Sequence, residues 1–516
     1  MSGFPPHLQG LLAPRAYSHA VELVELIQTH ISWVLLTGQW AYKIKRPVCY
    51  SFVDLRSQEH RAFLCQEEVR LNQRFAPELY MGVSRITQSD GQVRMEGGGT
   101  VIEHAVKMRQ FPREELLDRL LDKNAVGTGT KALAEFGGHL ARIHATLPVT
   151  PSDSQWGRPE TVRAQLLENL EQCATAAAVF QDTDSVQALR QPLEAALEGA
   201  LSWMAVRWHG RVRECHGDLH CANIVRRDAQ LCAFDCLEFD PALRWMDVAQ
   251  ELATLLADLQ ARRQPALAAA FLGAYLAQSG DYQACRLLSV YQVHRSLVRA
   301  KVMAVNAKNA LQEQGDTKDL QRQYQRHIAC ARGFLSAHRP RLILMHGVSG
   351  SGKTWLAQRL APPLAAVHLS SDRERKRLAD AHPAPDRYSP EARAQIYEHL
   401  ANCATDTLAG GFTTLVDATF GTSEQRARFV AVAASLAVPL YMVRCQAPPE
   451  LLRARIDARL ADHRDPSDAN QDVLAWQQRH LEAVSPTEGF TILEVNTADS
   501  HSVDAVEHAL GTVDSD

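Results

Sequence analysis

The stretch Leu342-Ile-Leu-Met-His-Gly347-Val-Ser349-Gly350-Ser351-Gly352-Lys353-Thr354-Trp-Leu-Ala-Gln-Arg-Leu360 decides the fold of the C-terminal third. It reads as an apolar strand, a GxxxxGK[ST] loop and an amphipathic helix, the order in which a phosphate-binding loop works. Gly347, Ser349, Gly350, Ser351 and Gly352 let successive backbone N–H groups turn inward around phosphate oxygens. The helix that follows points its positive N-terminus at the same place. Lys353 is placed to reach the β- and γ-phosphates, and Thr354 to put a hydroxyl on Mg²⁺.

Working outward, apolar strands are predicted at 341–346, 365–370, 413–418, 438–445 and 490–495, with helices between them. That alternation predicts a parallel sheet with crossover helices. Leu415-Val-Asp417 is an apolar strand ending in a carboxylate, suited to ordering Mg²⁺ or its water, or else to capping the strand end. Asp372 follows Leu369-Ser-Ser and lies at a carboxyl strand end, where the ligand crevice of such sheets opens. There it is placed to accept a proton from a substrate hydroxyl, or alternatively to cap the helix that begins after it. Arginines at 453, 455, 459 and 464 lie in a helix and the loop after it. They read either as a solvated face or as a closing lid that supplies positive charge to a transferring phosphoryl group.

The loop, Ser370-Ser-Asp372-Arg-Glu-Arg-Lys, Asp417-Ala-Thr-Phe and the arginine segment together resemble the small P-loop kinases. Gluconate kinase, the polynucleotide 5′-kinase domain and zeta-toxin-like kinases belong to that group. The resemblance covers about 341–516. It implies Asp372 as acceptor-side base and Arg459 and Arg464 as lid residues.

A second constellation lies upstream. His216-Gly-Asp218-Leu-His-Cys-Ala-Asn223 is followed by Leu231-Cys-Ala-Phe-Asp235-Cys-Leu-Glu238. Asn223 comes five residues after Asp218, and Asp235 comes at a strand end twelve residues later. In phosphoryl transfer the first Asp orients the acceptor hydroxyl and takes its proton, while the Asn and the second Asp hold metal against the phosphates. The pattern resembles the aminoglycoside-phosphotransferase-like branch of the protein-kinase-like fold. That resemblance covers about 20–310. It implies Lys43 on a strand as the phosphate-binding lysine, with Lys45 as its rival on the same face, and Glu68 on the next helix as the ion-pair partner. It also implies a hinge at the strand-like stretch 103–108, and a brace at Asp247, which is expected to open a helix. No GxGxxG loop is present; Thr37-Gly38 is the only turn signal there. The cysteines and histidines around 215–236 match no zinc spacing.

Composition sets the outer limits. The chain has 516 residues, with 46% hydrophobic, 22% charged and a net charge of −4. That is ordinary globular composition, long enough for about three units, with no global basic field for nucleic acid. No apolar run is long enough to span a membrane, the N-terminus reads as no secretory signal, and eleven cysteines without a CxxC point to the reduced cytoplasm. The fold expected is an α+β bilobal protein-kinase-like domain, with an N-lobe at 1–112 and a helical C-lobe at 113–335. An α/β P-loop NTPase domain with a parallel sheet follows at 336–516, with 312–340 as linker.

The expected function is an ATP- and Mg²⁺-dependent phosphotransferase with two nucleotide sites, each serving a small-molecule hydroxyl. Two alternatives stand beside it. One is a regulatory ATPase carrying a nucleotide-binding pseudokinase. The other is a polynucleotide 5′-hydroxyl kinase acting through the C-terminal domain, with a nucleic-acid 5′ end as the less favoured acceptor.

Overall fold

The computed structural model describes residues 3–50, 53–123, 129–313, 315–336, 339–381, 389–462 and 469–512. The chain forms two compact units. The first comprises Met1–Thr128, Thr146–Gly157 and Arg207–Glu251; the second comprises Gly129–Ala145, Arg158–Val206 and Leu252–Asp516.

The first unit is built on six antiparallel strands. These are β1 (Glu25–Gln28), β2 (Ser32–Leu36), β3 (Trp40–Lys45), β4 (Tyr80–Ser89), β5 (Gln92–Met95) and β6 (Thr100–Arg109), in spatial order β1-β2-β3-β6-β4-β5. The Thr37-Gly38 turn joins β2 to β3, with Gly38 at φ +89°, a conformation that glycine adopts without strain. The sheet is covered on both faces. Phe4, Leu8, Leu11, Trp33, Leu35, Tyr42, Ile44 and Ile86 pack on one. Ala41, Cys65, Tyr80, Val106 and Met108 pack on the other, the face that meets helix α1 (Gln58–Asn72). Side chains alternate along a strand, so Tyr42 and Ile44 enter the first core while Lys43 and Lys45 turn toward α1. Each large apolar side chain buried this way stabilises the sheet by about 1.5–3 kcal/mol.

The region 103–108, expected to link two lobes, is instead the interior of β6. This strand pairs with both β3 and β4, and Glu103 is buried against Arg61.

Further short strands of this unit include β7 (Val212–Glu214), β8 (Ile224–Arg227), β9 (Gln230–Ala233) and β10 (Trp245–Asp247). Strands β8 and β9 form a hairpin whose turn residues Asp228 and Ala229 both have positive φ, +46° and +66°. Such a turn matches the right-handed strand twist. Trp245–Asp247 leads straight into a helix, as expected, but is itself a short strand. It pairs antiparallel with Val212–Glu214, and the helix starts at Val248.

The second unit carries long helices, α2 (Pro265–Ser279), α3 (Cys285–Gln312) and α4 (Lys318–Leu335), ahead of a five-stranded sheet. The segment read as a linker is largely α4. Tyr324, His327, Ile328 and Ala331 form one buried stripe, and the Tyr324 hydroxyl donates to Asp182 at 2.8 Å. The sheet strands are β11 (Leu342–His346), β12 (Val367–Ser370), β13 (Thr414–Asp417), β14 (Leu440–Gln446) and β15 (Thr491–Asn496). They are all parallel, in order β12-β13-β11-β14-β15. Every residue of β11 is buried, as a sheet covered on both faces requires. Among the described residues no helix is long and apolar enough to cross a membrane.

Candidate active sites

In the first unit, hairpin register does the positioning. Ile224 pairs with Ala233, so Asn223 and Asp235 leave the β8–β9 hairpin at the same end. The two loops are then stitched together: Phe234 N donates to Asn223 O at 3.0 Å, and Leu237 N to His216 O at 3.0 Å. The buried His216 ring spans them, with Nε2 donating to Phe234 O at 2.7 Å and Nδ1 accepting from Asp218 N at 3.3 Å. Burial pushes its pKa down, which favours the neutral ring that this pair of bonds requires. Asn223 Nδ2 donates to the Asp218 carbonyl at 3.0 Å. The Asp218 carboxylate lies 3.3 Å from His220 Nε2.

Asp235 sits at φ +66°, a left-handed conformation that costs a non-glycine residue free energy and that clusters at functional positions. Its N–H donates to the Tyr80 hydroxyl at 3.1 Å, and the neighbouring Cys236 N–H donates to Asn72 at 3.0 Å.

Both lysines of β3 arrive at this end. Lys43 donates to Glu68 at 2.9 Å and to Asp235 at 2.5 Å. Lys45 donates to Glu68 at 2.7 Å and also pairs with Glu238. Lys45 is sealed, with side-chain exposure of 1%, whereas Asp235 keeps 42%. Lys45 thus serves as a buried anchor, and Lys43 is the lysine joined to the open carboxylate. Burial raises a carboxyl pKa, but two ammonium groups override it at Glu68 and hold it well below the usual range. At Glu238 burial wins and the pKa is raised. The pair shares the charge of Lys45 unequally.

The brace of this loop differs from the expectation. Gly217, at φ +92°, donates its N–H to the buried Glu251 at 2.8 Å. Asp247 instead takes Arg207 through two 2.8 Å bonds and caps the following helix through Ala249 N.

In the second unit, β11 and β13 end side by side, with Met345 opposite Asp417 and Ser370 on the other side of Asp417. Thr354 donates to the buried Asp417 at 2.6 Å, and His368 lies 3.4 Å from the same oxygen. The loop glycines are required by space. A Cβ on Gly347 would stand 2.6 Å from Cys445 O, and one on Gly350, at φ +80°, 2.6 Å from Leu452 O.

A cavity of about 1150 Å³ opens over this loop, lined among others by Ser349, Gly350, Gly352, Lys353, Thr354 and Asp372. Asp417 and Arg459 also line it, whereas Gly347 and Ser351 lie behind its wall. Asp372 is paired with Arg375 at 2.8 Å. Arg459 donates to Ala469 O at 2.5 Å, and Arg464 lies outside the described residues. Arg455 lines the same cavity and is bonded to Gly350 O and to Thr497, whose hydroxyl donates to Ser351 O, so it braces the loop.

The loop fits a bound phosphate. Lys353 has no carboxylate partner within ion-pair distance among the described residues; it donates to Val348 O at 2.9 Å, and burial pushes its pKa down. The Ser351 hydroxyl is buried without a partner. The Ser349 N–H is taken by Gln477 Oε1 at 2.7 Å. Thr354 and Asp417 present the hard oxygen donors that Mg²⁺ prefers.

Glu251, Thr497 and Gln477 went unseen in the sequence reading. Each reaches its site from a distant segment and carries no motif.

Residues 64–288 match the phosphotransferase enzyme family model, and residues 342–484 match the AAA domain model. An uncharacterized protein of Mycobacterium tuberculosis strain H37Rv is 28% identical over 466 residues, spanning 88% of this chain and 89% of its own. Among solved structures, a choline/ethanolamine kinase family protein from Mesorhizobium loti is 14% identical and covers 64% of this chain and 96% of its own, with a TM-score of 0.33. The Mycobacterium tuberculosis APS kinase, solved with AMPPNP and APS, is 20% identical and covers 34% of this chain and 99% of its own, with a TM-score of 0.27. Kinase and P-loop domains of these kinds generally use ATP and Mg²⁺. The chain is thus similar to the phosphotransferase enzyme family over residues 64–288 and to the AAA domain over residues 342–484.

Proposed function

We propose that this protein is an ATP-dependent phosphotransferase with two nucleotide sites, each moving the γ-phosphoryl group of Mg·ATP to a hydroxyl of a small molecule. The observation that carries the reading is the Thr354–Asp417 contact of 2.6 Å in a cavity that Lys353 and Asp372 also line. Lys353, Thr354 and the loop N–H groups hold the phosphates, and Thr354 with Asp417 hold Mg²⁺, which neutralises charge on the phosphate oxygens when bound. Asp372 accepts the acceptor's proton as its oxygen attacks, and Arg459 approaches the transferred group from the lid side. In the first unit Lys43, fixed by Glu68, holds phosphate, Asn223 and Asp235 hold metal, and Asp218 orients the acceptor hydroxyl and accepts its proton.

The test is an acceptor screen with γ-labelled ATP on the full chain, on Lys353→Ala and on Asp218→Asn. Label should reach a small hydroxyl compound in wild type, and each variant should lose one set of products. Release of free phosphate alone, unaffected by any acceptor, would reject the reading in favour of a regulatory ATPase. Labelling of oligonucleotide 5′ ends would move the acceptor class to nucleic acid.

A further inference from the structure

The acceptor side of the phosphate-loop site is built on helices that precede the AAA domain in sequence. Strand β12 is the edge of the parallel sheet and leads directly into Ser371 and Asp372. An edge strand needs cover, and α2 packs against it. The helix that starts at Ser371 carries Glu374 in its first turn, and this carboxylate is fully buried. One Glu374 oxygen accepts from the Tyr282 hydroxyl at 2.9 Å; the other takes Arg377 at 2.6 Å and His399 at 2.8 Å. Tyr282 lies just before α3 and is itself buried.

The packing here leaves no slack. A Cβ on Gly280 would collide with the Arg377 guanidinium, and one on Gly410 with the Cys285 carbonyl. Arg286, the second residue of α3, adds a 2.6 Å bond to Asp406. One of the three polar partners that hold the first turn of the Asp372 helix, Tyr282, therefore comes from ahead of the sheet that carries the nucleotide loop, beside Arg377 and His399 from after its first strand.

We propose that Tyr282, acting through Glu374, is a positioning residue for Asp372, so that the helical segment 265–286 sets the acceptor side of the phosphate-loop site and leaves nucleotide holding to the loop. This rests on the reading of Asp372 as the acceptor-side base. Both carboxylate oxygens of Glu374 are engaged on the far side of the helix, and removing the tyrosine hydroxyl frees one of them. The first turn can then shift, and Asp372 moves with it. A displacement of about 1 Å costs up to about 10²-fold in rate, because transfer depends on near-attack geometry. The phosphates do not depend on this turn, since Lys353, Thr354 and the loop are anchored by Asp417, Arg455 and Thr497.

The experiment uses the full chain with Asp235→Asn as background to quiet the first site. Three variants are compared: Tyr282→Phe, Glu374→Gln and Asp372→Asn. Mg·ATP affinity is measured by calorimetry. Transfer is measured in single turnover with enzyme in excess over γ-labelled ATP, water standing in for the acceptor. Exchange of the backbone amides 371–378 is followed by mass spectrometry. Tyr282→Phe should hold affinity within twofold, slow transfer about tenfold and speed exchange at 371–378. Glu374→Gln, which keeps an oxygen for Tyr282, should fall between Tyr282→Phe and wild type.

Unchanged transfer and exchange in Tyr282→Phe, with Asp372→Asn impaired, overturns the positioning role. Affinity lost in step with transfer also overturns it, because the effect is then general damage. Transfer unchanged in Asp372→Asn overturns the role of Asp372 itself, and the positioning proposal with it.

Discussion

The side-chain oxygen of Gln477 accepts a hydrogen bond from the backbone N–H of Ser349 at 2.7 Å, across 128 positions of sequence. Ser349 belongs to the glycine-rich loop, whose N–H groups are the natural partners of phosphate oxygens. On the reading of this loop as a nucleotide cradle, Gln477 takes the N–H that a phosphate oxygen would take, and a nucleotide has to displace it. Gln477→Ala should tighten Mg·ATP binding at this site by about two- to tenfold, the worth of one net hydrogen bond of about 0.5–1.5 kcal/mol. Calorimetric titration checks it; weaker binding would mean that Gln477 helps to hold the nucleotide.

Lys353 gives a pH dependence with a definite sign. Burial pushes its pKa below the usual lysine range. A bound phosphate supplies the missing negative charge and raises it again, so the protonated form is the one that binds. Affinity for Mg·ATP should be flat at low pH and fall as pH rises through the depressed value of free Lys353, by at most about tenfold per pH unit. Binding should take up protons in the same window, which calorimetry in buffers of different ionisation enthalpy detects. A flat profile to high pH would reject Lys353 as the phosphate partner.

The strand-end carboxylates and the glycine loop could be read from sequence because they are local. GxxxxGKT spans eight positions, and Asn223 and Asp235 flank one hairpin, with Asp218 in the loop that leads into it. What could not be read comes from a distance. Glu251 reaches Gly217 from 34 positions away, and Glu238 neutralises Lys45 from 193. Any acidic residue of suitable reach would serve, so no motif marks these two. Trp245-Met-Asp247 fits a helical apolar pattern as well as a strand, and only the pairing with Val212–Glu214 decides it. The helix α4 was legible as a polar helix within the linker, but the spacing of Tyr324, Ile328 and Ala331 among polar neighbours did not show that one stripe of it is buried.

Glu214 is a structural hub with its own pH signature. It is buried and accepts from Arg70, Arg74 and Arg244 at 2.8–3.0 Å, tying α1 to β7. Burial raises its pKa, but the three guanidinium groups override this and hold it at about 2. A depressed carboxyl stabilises the fold fully above its unfolded value of about 4.3 and loses that contribution as pH falls toward about 2. Glu214→Gln should therefore cost about 2–4 kcal/mol at neutral pH, less than a fully buried pair because Arg70 is half exposed. Urea unfolding of the full chain should show that difference shrinking between pH 5 and pH 3. A constant difference would mean that the cost comes from packing and not from charge.

The two aspartates of the first unit should separate by function. Asp218 is tied to the loop through its main chain, its N–H to His216 and its carbonyl to Asn223, and its carboxylate lies 3.3 Å from His220 Nε2, a contact that an asparagine oxygen can keep. Asp218→Asn should leave the loop and Mg·ATP affinity intact. Phosphoryl transfer from this site should drop by about 10²–10⁴, the usual size of a general-base effect. Asp235 is different, because its carboxylate is the group joined to Lys43. Asp235→Asn removes a metal-binding charge and leaves the Lys43 ammonium with Glu68 alone, so the Mg²⁺-dependent part of ATP affinity should fall. Titrations with and without Mg²⁺, in a Lys353→Ala background to quiet the second site, give the two signatures. Loss of nucleotide binding in Asp218→Asn but not in Asp235→Asn would reverse the two roles. Binding and turnover untouched by either substitution would leave the first unit a pseudokinase, with catalysis confined to the phosphate-loop site.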